Sequence, residues 1–179
     1  RSEELKIYSD QILQNLPFFP IADWLNEGIT IETMKRFNIK FNPIYNAVII
    51  PHYNENNKLI GIRQRTLVKE DEELWGKYRP ASINGTMYNH PLSYSLYGLN
   101  FNINNIQKSR KAIIFEGEKS VMLFDSFFSG HNNISVACCG SNISQRQIDL
   151  LLELGVQEII IAFDKEFERD RKSTRLNSS

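Results

Sequence analysis

The 179-residue chain is poor in cysteine and histidine and carries no excess of either charge. Its two cysteines, Cys138 and Cys139, are adjacent. Neighbouring strand residues point to opposite faces, so the pair does not make a tetrahedral zinc site, and no CxxC supplies one. So few thiols exclude a disulfide-stapled secreted scaffold, and a reduced, cytoplasmic compartment is the expectation. Lys and Arg total 21 and Asp and Glu total 21. That balance argues against a nucleic-acid coat protein, which is strongly basic, but leaves room for an enzyme with a local basic groove. No apolar run approaches the roughly 18 residues of a membrane span, and no signal peptide opens the chain. What is present is 41% hydrophobic residues, enough for one large core or two small ones.

The most informative stretch is bounded by two acidic motifs, Ala112-Ile113-Ile114-Phe115-Glu116-Gly117-Glu118-Lys119 and Ile159-Ile160-Ile161-Ala162-Phe163-Asp164-Lys165-Glu166. Each is a short apolar run ending on carboxylates, the pattern of a buried parallel strand. A third apolar run, 134–138, lies between them. Helical patterns separate the three: 118–128, stopped by Gly130, and a second opening on a capping box of Ser144 and Gln147 and stopped by Gly155. Strand, helix, strand, helix, strand with right-handed crossovers puts all three strand ends on one sheet edge. Ligands of open α/β sheets bind outside that edge. Strands about 4.8 Å apart would let Glu116, Asp164 and Glu166 converge on one divalent ion, and hard oxygen donors without His or Cys suit Mg²⁺ or Mn²⁺. Solvated strand-end acids are the plain alternative. Lys119 reads either as a phosphate-contacting base or as surface. Gly140-Ser141-Asn142 reads either as a loop that lets a phosphate approach or as a simple turn.

Upstream, Leu5, Tyr8, Ile12 and Leu16 have helical spacing over residues 3–16, and Pro17 and Pro20 end that pattern. A short helix ends at Gly28, and Thr30 caps the next. From Ala47 the period becomes two: a strand to Tyr53, a turn at Asn54-Glu55-Asn56-Asn57, and a returning strand over 58–67. On the returning strand Arg63 and Arg65 share a face, where they would either grip successive phosphates or form an exposed basic surface. Residues 70–73 read as an acidic loop, and Asn84-Gly85 as a turn. Tyr88, Tyr94, Tyr97 and Phe101 lie among Lys77, Arg79 and His90. That mixture tracks a single nucleic-acid strand or fills a core. His90 reads as a loop residue. Residues 102–110 read as a linker or weak helix and mark a domain boundary.

The paired motifs Phe115-Glu116-Gly117-Glu118-Lys119 and Ala162-Phe163-Asp164-Lys165-Glu166 resemble the TOPRIM domain of primases, topoisomerases and related nucleases. Upstream landmarks narrow the resemblance to the catalytic core of bacterial DnaG-type DNA primases. They are Trp24-Leu25-Asn26-Glu27-Gly28-Ile29-Thr30, Ile50-Pro51-His52-Tyr53 with Leu59-Ile60-Gly61-Ile62-Arg63-Gln64-Arg65, Lys77-Tyr78, and Leu96-Tyr97-Gly98-Leu99. The resemblance covers roughly residues 20–168.

The resemblance implies an α+β N-terminal subdomain over 1–108, followed by a parallel-sheet, Rossmann-like α/β TOPRIM domain over 109–168, cut off at its C-terminal side. Residues 169–179 resemble a translated adapter and are expected to be non-native. The implied activity is a nucleotidyltransferase: Mg²⁺-dependent synthesis of short RNA primers on a single-stranded DNA template during DNA replication, from ribonucleoside triphosphates. Glu116, Asp164 and Glu166 would be catalytic metal ligands, and Arg63, Arg65 and Lys77 would bind template or nucleotide. A replicative helicase would be a partner through a C-terminal region outside this chain. The family pattern is altered in places. Glu166 stands where the second acid of an Asp-x-Asp pair is usual, Ser120 replaces an Asp, and His90-Pro91-Leu92-Ser93-Tyr94-Ser95 lacks the usual Lys. Such departures suggest a phage or mobile-element origin. The rival readings are a TOPRIM nuclease or topoisomerase-like enzyme and an inactive nucleic-acid-binding relic. A response-regulator-like phosphoacceptor is weaker, because it needs paired acids after the first strand.

Overall fold

The computed structural model describes residues 4–164. Glu166 and the 169–179 tail lie outside the described residues.

Three short helices, α1 (Gln11–Gln14), α2 (Ala22–Glu27) and α3 (Ile31–Arg36), open the chain. Gly28 closes α2 in the left-handed region, and the Thr30 hydroxyl accepts from the Thr33 amide at the start of α3. An antiparallel sheet follows, of β1 (Lys40–Asn42), β2 (Ala47–Tyr53), β3 (Leu59–Thr66) and β4 (Tyr78–Pro80) in that spatial order, with α4 (Lys69–Trp75) between β3 and β4. Every residue of β2 is buried, because both faces of the sheet are covered. Val48 and Ile50 join a core with Trp24, Met34, Phe37, Val121 and Met122, while Ile49 and Tyr53 pack with Leu13, Ile83 and Tyr88. A small hairpin of β5 (Ser82–Ile83) and β6 (Thr86–Met87) turns at Asn84 and Gly85, both at positive φ as a tight two-residue hairpin requires.

The second half holds α5 (Leu99–Ser109), β7 (Lys111–Phe115), α6 (Glu118–Phe127), β8 (Ser135–Ala137), α7 (Gln145–Glu153) and β9 (Glu158–Ile161). The three strands are parallel in the order β8-β7-β9, with Ile114 opposite both Val136 and Ile161. The capping box at Ser144 is present, and its partner Gln147 is fully buried. The Gln147 amide donates to the carbonyls of Leu92 (3.1 Å), Ser95 (2.9 Å) and Cys138 (3.0 Å), so the cap also ties α7 to the approach segment and the sheet.

Local pattern and structure part in two places. The helix expected over residues 3–16 is confined to Gln11–Gln14; before it the Tyr8 amide donates to the Leu59 carbonyl (2.8 Å) and its ring packs on Tyr88. A sheet-edge contact wins over helical spacing. The acidic loop expected at 70–73 is the first part of α4, whose three acidic residues in the first turn suit the positive end of the helix dipole. Of the two readings of 102–110, linker or weak helix, the structure has the helix: α5 runs to Ser109, buries Leu99 and Ile106 and donates from the Asn102 side-chain amide to the Ser135 carbonyl (2.8 Å).

The two halves share a core and a polar clamp. Asp125 of α6, 1% exposed, accepts from Thr33 Oγ1 (2.9 Å), Arg36 Nε (2.9 Å) and Asn133 Nδ2 (3.1 Å), and Arg36 Nη2 also bonds it. This clamp holds α6 against α3 and so orients the N-terminal end of α6 toward the antiparallel sheet.

Candidate active-site cleft

The face of the antiparallel sheet that meets α6 follows from strand register. Ile50 is opposite Arg63, His52 opposite Gly61 and Val48 opposite Arg65, and cross-strand partners point to the same side. His52, Arg63 and Arg65 therefore look toward the parallel half. Gly61 is required at its position: a Cβ there would lie 2.0 Å from His90 Nδ1, because the His90 ring covers that backbone. The rings of His52 and His90 lie 4.8 Å apart, as do those of His52 and Tyr97.

From the other side, β7 ends at Phe115 and the chain turns through Glu116 and Gly117 into α6. Glu118, the first residue of that helix, is only 2% exposed. Its Oε1 forms an ion pair with Arg63 Nη1, accepts from Cys139 Sγ (2.8 Å) and stands 3.7 Å from His52 Nε2. Burial and the Arg63 charge push His90 down to about 4, and His52 is held well below its ordinary value by burial and by the charges of His90 and Arg63. Both imidazoles are therefore neutral at pH 7. Burial, reinforced by Glu118, pushes the Cys139 thiol well up and Tyr78 up to about 12.

Between the halves lies an open cleft of about 450 Å³, lined by Arg63 and Tyr78 on one wall and by Glu116, Glu118, Cys139 and Asp164 on the other. Of the residues singled out in the sequence, the fold brings Glu116, Asp164, Arg63, Lys119 and Gly140 to this one cleft. Glu116 is half-buried after β7, and Asp164 is exposed, three residues past the end of the neighbouring β9. Arg65 and Lys77 do not line it. They gather around Glu72 of α4, at 3.6 Å and 3.7 Å, on the same sheet. Both Arg63 and Arg65 sit over the Tyr78 ring, at 5.1 Å and 5.7 Å from its centroid, so the arginine pair is half-buried and packed on an aromatic rather than a bare basic surface. Lys119 is paired with Glu27. Tyr88 and Tyr97 are buried in the protein, which removes them from any strand-tracking role.

Sequence reasoning missed Glu118, His52, His90 and Cys139. It also placed no His or Cys near the acidic edge, whereas Cys139 lines the cleft and His52 stands just behind it. The available signal was the second carboxylate of Glu116-Gly117-Glu118. Its burial depends on Arg63, 55 residues away, which no local pattern displays.

No family model matches the chain. It is 42% identical over 164 residues to the SPbeta prophage-derived uncharacterized protein YorJ of Bacillus subtilis strain 168, covering 90% of this chain and 43% of that protein. It is 30% identical over 82 residues to the DNA primase of Chlamydia pneumoniae, covering 45% of this chain and 13% of that one. The chain thus spans less than half the length of the curated relatives it matches. Among solved structures, the zinc-binding and RNA polymerase domains of Aquifex aeolicus primase superpose with a TM-score of 0.70 at 17% identity, covering 87% of this chain and 46% of that one. A DnaG primase catalytic domain bound to single-stranded DNA superposes with a TM-score of 0.64 at 20% identity, covering 93% and 63%.

Proposed function

We propose that this chain, which has the mixed α/β fold of the DnaG primase catalytic core, is part of a primase from a phage or mobile element. Its two parts are an N-terminal subdomain over 1–108 and a TOPRIM region over 109–168. The reaction is template-directed joining of ribonucleotides into short RNA primers on single-stranded DNA. One observation carries the reading: the strand-end acids Glu116 and Asp164 face Arg63 across a single cleft.

Carboxylate oxygens are the donors a hard divalent ion takes. They come from the ends of adjacent parallel strands, and Gly117 adds no side chain, with open space where its Cβ would be. Glu116 and Asp164, with Glu166 as a third, would hold Mg²⁺ or Mn²⁺, which when bound activates an attacking hydroxyl and offsets triphosphate charge. Arg63 does its part without the ion. Glu118 fixes one end of its guanidinium, and the remaining N–H donors are available to a phosphate in the cleft, the bidentate geometry for which arginine is suited. Arg65 and Lys77, gathered at Glu72, supply positive charge along the sheet for the template backbone. A replicative helicase would engage the longer protein through a region outside this chain.

The test is labelled ribonucleotide incorporation on single-stranded DNA by the whole product of the source gene, with Mg²⁺ or EDTA, comparing wild type with Glu116→Gln. Mg²⁺-dependent short RNA that disappears in the variant is the expected result. Mg²⁺-dependent shortening of the template would move the protein to the TOPRIM nuclease class. Salt-sensitive DNA binding indifferent to Mg²⁺, with no product, would make it a binding relic.

A further inference from the structure

Behind the acidic edge, three side chains from three separate segments converge with donor atoms of three different kinds. His52 Nε2 comes from β2, a carboxylate oxygen of Glu118 from the start of α6, and Cys139 Sγ from the loop after β8; all lie within 4.8 Å of one another. His52 and Glu118 are each 2% exposed. His52 Nε2 has no hydrogen-bond partner among the described residues, although it points at a carboxylate oxygen 3.7 Å away. A buried imidazole nitrogen without a partner costs free energy unless something fills the gap. Neither Mg²⁺ nor Ca²⁺ suits this donor set, since both demand oxygen. A nitrogen, an oxygen and a sulfur are the ligands of a borderline-soft ion such as Zn²⁺. Zinc bond lengths of about 2.0–2.3 Å place tetrahedral ligands roughly 3.4–3.6 Å apart. Side-chain shifts of about 1 Å would bring the observed 2.8 Å and 3.7 Å separations to that spacing.

We propose that His52, Glu118 and Cys139 form a binding site for a zinc-class divalent ion, with its fourth position open to the cleft that Glu118 and Cys139 line. The site uses none of the residues assigned to the hard ion, though it borders the same cleft, and does not depend on the primase reading. Binding releases the Cys139 thiol proton to solvent. It also requires the Arg63 guanidinium to leave Glu118 Oε1, either for the other oxygen or for the cleft, where Arg63 is already 16% exposed. A zinc-class ion would join β2 of one half to α6 and the β8 loop of the other, and would compete with the Glu118 tether that positions Arg63.

The test is Co²⁺ titration of the intact chain under a non-thiol reductant, followed by absorbance. Wild type should develop a thiolate-to-cobalt charge-transfer band saturating at a single equivalent, bleached by Zn²⁺ and unaffected by excess Mg²⁺. Cys139→Ser should lose the band and Cys138→Ser should keep it. His52→Gln should weaken Co²⁺ binding at least about tenfold, since even outer-shell partners are worth about 10–100-fold. No band in wild type overturns the proposal whether or not any variant folds. So does a band that survives Cys139→Ser, or one that Cys138→Ser alone removes from a chain with native circular dichroism.

Discussion

Asp125 offers the sharpest test of how the two halves are held in register. Asp125→Ala removes a carboxylate that is 1% exposed and serves Thr33, Arg36 and Asn133 at once. Arg36 is 37% exposed, so its guanidinium returns partly to water and the ion pair alone is worth less than a fully enclosed one. Thr33 and Asn133, 0% and 1% exposed, cannot turn to water, and each would lose an acceptor at a cost of about 1–3 kcal/mol; Thr33 still has the hydroxyls of Ser126 (2.8 Å) and Thr30 (3.2 Å) to take its proton, which puts its loss at the lower end. Asn133 keeps a second, longer bond to the Val121 carbonyl (3.3 Å), which puts its loss at the lower end. Together with the discounted ion pair these give about 2–4 kcal/mol of destabilisation. At roughly 2–4 °C per kcal/mol for a chain of this size, the melting temperature should fall by about 4–16 °C. Thermal and urea melts of wild type and Asp125→Ala measure it. Leu152→Ala, at a position 54% exposed on α7, is the control, expected within about 0.5 kcal/mol of wild type. A drop below about 3 °C for Asp125→Ala would refute the view that this clamp joins the halves.

Two further outcomes follow from the histidine pair behind the cleft. Gly61→Ala drives a methyl into the His90 ring and should cost about 1–3 kcal/mol in urea melts; adding His90→Ala should return much of that loss, and strictly additive losses would contradict the contact. Stability should also fall in mild acid. His90 has a folded value of about 4 against an ordinary 6.5, and His52 is lowered as well. The unfolded chain therefore binds protons first, and the stabilisation is complete above about pH 6.5 and lost as pH falls toward 4, roughly 3 kcal/mol from His90 alone. Urea midpoints between pH 7.5 and 4.5 should show this slope in wild type and a flatter one in His90→Asn. An equal slope in the two would show that His90, buried beside the Arg63 charge, is not the group behind it.

Much of the architecture is legible in the linear chain because it is written locally. Runs such as 112–115 and 159–161 declare themselves as parallel strands by lacking polar alternation. Thr30, Ser144 with Gln147, Gly28 and Asn84-Gly85 each satisfy a backbone requirement within a few residues of themselves. The acids of the proposed hard-ion site are legible for the same reason: they terminate those strands, and parallel topology brings strand ends to one edge. Where elements are short or polar, local pattern loses. Residues 4–9 have helical spacing but form no helix, Tyr8 bonding the Leu59 carbonyl instead, and α5 holds its place through Leu99, Ile106 and the Asn102–Ser135 bond. The surroundings of Arg63 were decided only by tertiary structure. Whether a carboxylate three residues past a strand end is solvated or buried depends on what faces it. Here that is an arginine 55 residues upstream, a histidine on the next strand and a cysteine 21 residues downstream. Charge and coordination act through space over a few ångströms, and chain order carries no record of which distant side chains come that close.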